Sequence, residues 1–124
     1  MSNTAITQAR KWARVKRKIY VCAPLGEDVK KELEDAAKYY EFTLQSECVP
    51  VGPHAYATML GVNNLSETKR LRQAGMSLIW FCDEIWVFGE QVTESMQEEI
   101  CFGRNMKIRM RKIRDKDIKK VIGG

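Results

Sequence analysis

The sequence predicts an α/β protein in which helices cover both faces of a parallel β-sheet, giving three layers. Short apolar segments alternate along the chain with segments of helical periodicity, in the order βαβαβαβ. Strands that alternate with helices pair in parallel and are joined by right-handed crossovers. The expected sheet has strand order 2-1-3-4, a switch point between its first and third strands, and room for an extra edge strand.

The first third of the chain holds a basic lead-in, a strand and a long helix. Residues 4–17 place apolar side chains at helical spacing among basic ones, which indicates a partly ordered amphipathic segment. Residues 18–22 are largely β-branched or aromatic and stop at a Pro-Leu-Gly turn, which indicates a buried strand. Residues 27–44 then repeat apolar positions with a helical period, which predicts a helix of about five turns.

The middle of the chain predicts a second strand, a loop and a second helix. Residues 48–51 form a short apolar segment that ends at Gly52 and Pro53. Residues 54–64 are therefore expected to form an irregular loop over a pocket. Ser66 is the predicted N-cap of a helix that continues to about residue 81.

The last third predicts a central strand, a helix and an edge strand. Residues 84–88 form an apolar run between turn signals, which is typical of a central parallel strand. Residues 93–105 are expected to be helical. Residues 107–113 alternate charged and apolar side chains with a period of two, which fits a strand at the sheet edge with one face in water. Residues 118–124 predict no definite element.

Length and charge divide the chain into a single domain with basic ends. A chain of 124 residues with 44% hydrophobic content supports one packed core. The net charge of +5 is unevenly spread, because residues 1–18 hold six basic and no acidic side chains and residues 104–124 hold nine basic and two acidic ones. We therefore expect a basic lead-in at 1–17, the α/β domain at 18–113 and a basic tail at 114–124. The basic ends suit nucleic acid, their own domain or a second subunit; the C-terminal one lacks interleaved aromatic residues, which disfavours nucleic acid.

Several classes of protein are disfavoured by what the sequence lacks. Its longest apolar run is too short to cross a bilayer, and residues 1–18 lack a signal-peptide pattern, so we expect a soluble, cytoplasmic protein without membrane partners. Four scattered cysteines and one histidine suggest neither a disulfide framework nor a zinc site, so the thiols are expected to be reduced and no metal or cofactor is expected. The glycine-rich motifs of dinucleotide and nucleoside triphosphate sites are absent from the sequence.

The predicted switch point brings the loops after the first and third strands together, and small ligands bind in such a crevice. The residues expected to contact a ligand there are Ala23, Pro24, Leu25, Gly26, His54, Gly89, Thr93, Ser95 and Met96. Two of them also have simpler explanations. His54 follows a Gly-Pro pair and is more often a residue that anchors a loop by a hydrogen bond, and Thr93 is equally well explained as a helix N-cap.

One acidic residue of the predicted third helix is expected to face inward. An advance of about 100° per residue places Glu98 in solvent and Glu99 at the border of the buried face. A bare carboxylate is expensive to bury, so Glu99 must be solvated, paired or used in chemistry. A structural glutamate bonded to a lysine or tyrosine explains the pattern as well as a catalytic one does.

The segments that carry these residues resemble the nucleoside 2-deoxyribosyltransferase-like superfamily, in particular its small bacterial and phage branch. The resemblance covers about residues 18–107 and rests on four segments, KIYVCAPLG, VPVGPH, CDEIWVFG and SMQEEI. It implies a flavodoxin-like or Rossmann-like sheet and assembly into homodimers or larger homo-oligomers. It also implies a small-molecule partner, namely a deoxynucleoside or its monophosphate, whose N-glycosidic bond is cleaved.

The resemblance also implies roles for individual residues. Glu99 takes the position of the nucleophile that attacks the anomeric carbon, and Tyr20 that of the strand tyrosine that orients this carboxylate. Asp83 matches an aspartate that contacts the base or supports its protonation, and Ser95 a serine of phosphate-handling members. A second hypothesis keeps the same pocket but makes the protein a non-catalytic binder of a nucleotide-derived signal, as a sensor or a phage sponge. A nucleic-acid binder with basic tails is a third, weaker hypothesis.

Overall fold

The structure is an α/β fold built on a four-stranded, all-parallel sheet of order β2-β1-β3-β4. The computed structural model describes residues 3–123, and the side chains of all of these except residues 12–15. The strands are β1 (Lys18–Cys22), β2 (Val49–Val51), β3 (Glu84–Val87) and β4 (Arg109–Lys112). The predicted fold class and strand order are confirmed.

Six α-helices surround the sheet in the described part of the chain. They are α1 (Asn3–Val15), α2 (Val29–Gln45), α3 (Pro53–Leu60), α4 (Leu65–Leu78), α5 (Glu94–Asn105) and α6 (Asp115–Ile122). A short 3-10 helix at Ile79–Phe81 extends α4 toward β3. Within residues 3–123, no helix is both long enough and apolar enough to cross a membrane.

The two faces of the sheet pack against different helices. Every central strand residue from Ile19 to Cys22 is buried, so β1 has no wet face. One face packs its side chains against α2 and α6. The residues of this core are Ile19, Val21, Ala23, Ala36, Tyr39, Phe42, Cys48, Trp86, Phe88, Ile113 and Ile118. The other face packs Tyr20, Cys22 and Ile85 against Met96 of α5 and Ile79. The two faces make the three layers that the alternating pattern predicts.

Helix α5 lies unusually close to the sheet because Gly103 has no side chain. A Cβ atom at this position would overlap Cδ1 of Ile85 and lie 2.9 Å from Cε of Met110. The close approach fixes the depth of α5 over β3 and β4. It therefore also fixes how far the inward side chains of α5 reach into the sheet.

The residues between α1 and β1 are held firmly to the sheet. The guanidinium of Arg17 forms an ion pair with the buried carboxylate of Glu84, which also accepts a 3.2 Å hydrogen bond from the indole of Trp86. The amide of Val49 donates to the carbonyl of Arg17 at 2.8 Å. Lys16 lies 3.8 Å from Glu47. The root of α1 is thus tied to strand β2, strand β3 and the end of α2.

Two local predictions are corrected by the structure, and one segment that the sequence left open is assigned. Residues 54–60 are helical and only residues 61–64 form a loop, because Pro53 occupies the first position of α3, where a proline needs no amide hydrogen bond. The N-cap of α4 is Asn64, which accepts a 3.0 Å hydrogen bond from the amide of Glu67, and Ser66 lies inside the helix. Residues 115–122, in the segment described above as a basic tail, form α6, whose Ile118 is buried against α2.

Replacing Gly103 by valine tests the close packing of α5. The added methyl groups must displace Ile85 and Met110, so we expect a loss of about 1–3 kcal/mol in the free energy of unfolding. Urea unfolding followed by circular dichroism measures the loss. Cys101→Ala, at an exposed position of the same helix, is the matched control and should change little. An equal effect of both substitutions would contradict the role of Gly103.

Candidate functional site

The centre of the candidate site is the carboxylate of Glu99 on α5. Thr93 caps this helix by accepting a 3.3 Å hydrogen bond from the amide of Met96. Glu99 follows on the inward side and is only 4% exposed. Its Oε2 accepts a hydrogen bond from the hydroxyl of Tyr20, and its Oε1 lies 3.7 Å from the thiol of Cys22. Tyr20 and Cys22 share one face of β1, because alternate strand residues point the same way.

Burial controls the protonation of this group. Desolvation raises the pKa of Glu99 to about 7, although the hydrogen bonds from Tyr20 and Cys22 and the positive charge of Arg72 act in the opposite direction. Burial, together with the negative charge of Glu99, raises the pKa of Tyr20 well above its ordinary value. The hydroxyl of Tyr20 therefore stays protonated and donates a hydrogen bond to Glu99. The carboxyl group of Glu99 itself gains or loses a proton near neutral pH.

Two adjoining cavities give access to Glu99. We call the first the recess; it has a volume of about 90 Å³ and is lined by Lys69, Arg72, Gln73, Met76, Ser95, Glu98 and Glu99. We call the second the chamber; it has a volume of about 340 Å³ and is lined by Leu25, Gly26, Glu27, Glu32, Leu65, Arg72, Thr93, Glu94, Ser95 and Glu98. Three residues, Arg72, Ser95 and Glu98, line both. A molecule in the chamber thus lies next to the entrance to Glu99.

Arg72 is a site residue that the sequence analysis missed. It extends from α4 into both cavities, and its Nε atom is buried without a hydrogen-bond partner among the described residues. The sequence signal is weak, because Arg72 is one of several basic residues on α4 and only its place beside the buried Leu71 indicates an inward position. Cys22 was also missed, although the strand period places it on the same face as Tyr20.

The backbone amides of the loop after β1 are already occupied. The carboxylate of Glu32 accepts hydrogen bonds of 2.8 Å from the amide of Gly26 and 3.2 Å from that of Glu27. Gly26 allows this turn because its φ of +138° is one that residues with a side chain rarely adopt. Free amides in such a loop are a common site for phosphate. Here an internal carboxylate takes the place that an anion would fill.

The other predicted ligand contacts divide into three groups. Leu25, Gly26, Thr93 and Ser95 line the chamber. Pro24 and Gly89 instead line a larger cavity of about 690 Å³ between α2 and α6, which Thr93 also borders. Ala23 and Met96 are buried in the core and line none of these cavities, which corrects their assignment as contacts. Strand alternation and helical period turn both side chains away from the surface.

His54 lies under the loop after β1 and not in the chamber. Its Nε2 is 3.2 Å from the carbonyl oxygen of Pro24, which makes it an anchor for that loop. Burial lowers the pKa of His54 to about 4, so the ring is neutral near pH 7. The assignment of His54 as a ligand contact is corrected to an indirect role in holding Pro24.

Asp83 is not brought to Glu99. It is exposed, precedes the first residue of β3, and accepts a 2.7 Å hydrogen bond from the amide of Lys18 at the start of β1. The loops that form the chamber leave the opposite ends of these parallel strands. The role implied for Asp83 at the reacting base therefore has no geometric support in this fold.

The largest cavity is not the one that contains the inward carboxylate. The 690 Å³ cavity between α2 and α6 includes neither Glu99 nor Tyr20. We place the candidate site in the chamber and recess, because the recess is lined by Glu99, a buried carboxylate that accepts a hydrogen bond from Tyr20 and whose pKa burial raises. Among the residues that the structure describes, no group of three histidine, cysteine, aspartate or glutamate side chains is arranged to hold a metal ion.

Fold and site together define a parallel α/β protein with a buried carboxylate beside a polar cleft. Residues 17–113 match the model of the family described as a domain of unknown function, DUF7768, and the chain belongs to that family. The match covers all four strands and α5, which carries Glu99. No curated protein and no solved structure matches the chain.

A pH series on Glu99→Gln tests the burial of the carboxyl group. The raised pKa means that the folded protein binds this proton more tightly than the unfolded chain, so the contribution of Glu99 to stability is present at low pH and is lost as pH rises through about 7. Glutamine cannot ionise, so the stability of the variant relative to wild type should grow by about 3 kcal/mol between about pH 4.5 and 8.

Urea unfolding at several pH values measures the difference. Glu98→Gln, at the exposed neighbouring position, is the control and should show no such trend. A difference between Glu99→Gln and wild type that does not change with pH would contradict a buried, ionisable Glu99.

Proposed function

We propose that the protein cleaves the N-glycosidic bond of a deoxynucleoside, with Glu99 as the nucleophile. The observation that carries the proposal is the buried hydrogen bond from Tyr20 to Glu99, which holds one carboxylate oxygen and leaves the group beside an open cleft. This pairing agrees with the roles implied by the resemblance to nucleoside 2-deoxyribosyltransferase-like proteins. The released base is replaced either by water, in hydrolysis, or by a second base, in transfer.

The chemistry proceeds in two displacements at the anomeric carbon of the sugar. The ionised carboxylate of Glu99 attacks this carbon, the bond to the base nitrogen breaks, and the base leaves with the bonding electrons and takes up a proton. Water or a second base then attacks the same carbon and frees Glu99 from the covalent sugar ester. Since Asp83 lies at the other end of the strands and Glu98 is exposed, the base takes up this proton from water in the open chamber.

The charges of the chamber favour an uncharged nucleoside over a monophosphate. Four carboxylate side chains line it, from Glu27, Glu32, Glu94 and Glu98, against the single guanidinium of Arg72. Glu32 also fills the loop amides that would otherwise receive a phosphate. Acids near a sugar can instead accept hydrogen bonds from its hydroxyl groups.

Base release from deoxynucleosides, followed by chromatography, tests the activity. Glu99→Gln should reduce kcat/KM at least about 1,000-fold, since the nucleophile is lost. The wild-type rate should rise with pH through about 7, because only ionised Glu99 attacks. Tyr20→Phe removes a hydrogen bond that lowers the pKa of Glu99, so it should reduce the rate roughly 10–100-fold and move this rise to higher pH.

Ser77→Ala, at an exposed position of α4 outside both cavities, serves as the control and should leave the rate unchanged. Release of base that persists in Glu99→Gln would remove Glu99 from the mechanism. An unchanged pH profile in Tyr20→Phe would contradict the orienting role of Tyr20.

Replacing Glu32 by alanine tests the preference for an unphosphorylated substrate. The change frees the amides of Gly26 and Glu27 and removes one negative charge, so the KM for a deoxynucleoside monophosphate should fall several-fold while that for the nucleoside changes little. Glu34→Ala, an exposed residue of the same helix, is the matched control. If wild type already prefers the monophosphate, the proposed role of Glu32 is wrong.

A second candidate function is binding without cleavage. The recess beside Glu99 has a volume of only about 90 Å³ and the carboxylate is almost fully covered, which favours a ligand that stays in the chamber. A nucleotide-derived signal molecule is the ligand class for this alternative. Thermal-shift measurements with cyclic and ADP-ribose-type nucleotides, with chromatography of the recovered ligand, distinguish the two: an intact, tightly bound ligand supports the binder and freed base supports the enzyme.

A further inference from the structure

Helix α1 is amphipathic, and its described side chains, those of residues 3–11, face solvent. Ile6, which is 37% exposed, and Ala9 lie on one side, and the only charged side chains of the helix are basic. A helix of this length gains most of its stability in water by burying its apolar side. We therefore expect another surface to bury the apolar side of α1, including Ile6.

An apolar groove without a cover runs between α2 and α3. It consists of two adjoining cavities of about 420 and 560 Å³ that share Leu33, Ala37 and Thr58. At its sides, Met59 is 78% and Leu44 is 51% exposed. The small side chains in its floor leave room for ridges from another helix.

The groove and α1 match in length and in charge. At about 1.5 Å per residue, the groove extends about 22 Å along α2, from Val29 to Leu44, and the 13 residues of α1 span about 20 Å. The charged residues that line the groove are Glu34, Glu41 and Lys30, so acidic side chains exceed basic ones. A helix that carries only positive charge fits this rim.

In a single copy, the described side chains of α1, those of residues 3–11, stay exposed and do not cover the groove. The connection from α1 to β1 is only Lys16 and Arg17, which span at most about 10 Å. Arg17 is bound to Glu84 and Lys16 lies beside Glu47, so the root of α1 is fixed at the amino ends of the strands. Leu44 and Met59 consequently stay exposed in a single copy.

We infer that α1 of one copy docks into the α2–α3 groove of a second copy, and that the exchange is reciprocal. The root of α1 adjoins the end of α2 through the Lys16 and Glu47 pair, so the donating and accepting surfaces lie near one edge of the domain. Two copies related by a two-fold axis can bring both pairs of surfaces together there. The interface is separate from the chamber and recess and does not depend on the proposed enzymatic function.

Analytical ultracentrifugation of the full chain over a range of concentrations, with variants on each surface, tests this interface. Ile6→Glu places a charge in the buried side of α1, and Ala37→Arg fills the groove with a bulky charge. Each should raise the dimer dissociation constant at least tenfold. The matched controls should remain dimeric. They are Thr7→Glu, which lies on the opposite side of α1, and Ala37→Ser, which keeps the side chain at position 37 small and so leaves the groove open. Both test positions are exposed, and circular dichroism confirms that the variants fold.

Mixing the two disruptive variants gives the sharpest result. The Ile6→Glu chain keeps a native groove and the Ala37→Arg chain keeps a native α1, so the mixture should regain dimer through one intact contact. A wild-type chain that is monomeric at every concentration, or dimers that both variants leave unchanged, would overturn the inference. Monomers that bind vesicles of anionic lipid, and lose that binding in Ile6→Glu, would assign α1 to a membrane surface and would also overturn it.

Discussion

The structure depends on the constraint that Glu99 is buried yet ionisable. A carboxylate in this position is costly unless its oxygens are bonded, and Tyr20 meets that need from the middle of β1. Gly103 lets the same helix lie close to the sheet, which favours the reach of Glu99 to β1. The packing depth of α5 and the burial of this one carboxylate are therefore linked.

The two faces of the sheet have different roles, because one is an apolar core and the other holds polar side chains. On the α2 face, Phe88 stacks on Tyr39 with ring centroids 4.7 Å apart and meets Phe42 edge-on at 6.0 Å, which gives a rigid aromatic core. On the α5 face, the inward side chains of β1 are Tyr20 and Cys22, whose polar atoms point at Glu99. The apolar face thus stabilises the scaffold that holds the polar groups of the other face, where unsatisfied atoms would otherwise be costly.

Periodicity predicts which face of a helix or strand each residue occupies. It does not predict whether a residue lies at the amino or the carboxyl ends of the strands. The helical period correctly placed Glu99 inward and Glu98 outward, and the alternation of strands and helices gave the sheet order. Asp83 was associated with the cleft although it lies at the amino ends of the strands. The sequence predicts a loop after Gly52 and Pro53, but the structure has a helix there, because a proline that ends one element can equally begin the next.

Local patterns in the sequence suffice to predict the layers and the inward direction of Glu99, because these follow from the alternation of strands with helices and from repeats of two and 3.6 residues within single elements. The surroundings of that carboxylate are set by the packing of separate elements. The position of Arg72, the use of loop amides by Glu32 and the burial of His54 under Pro24 all join residues from separate elements. Such contacts depend on how helices are set against the sheet, and no local pattern encodes them.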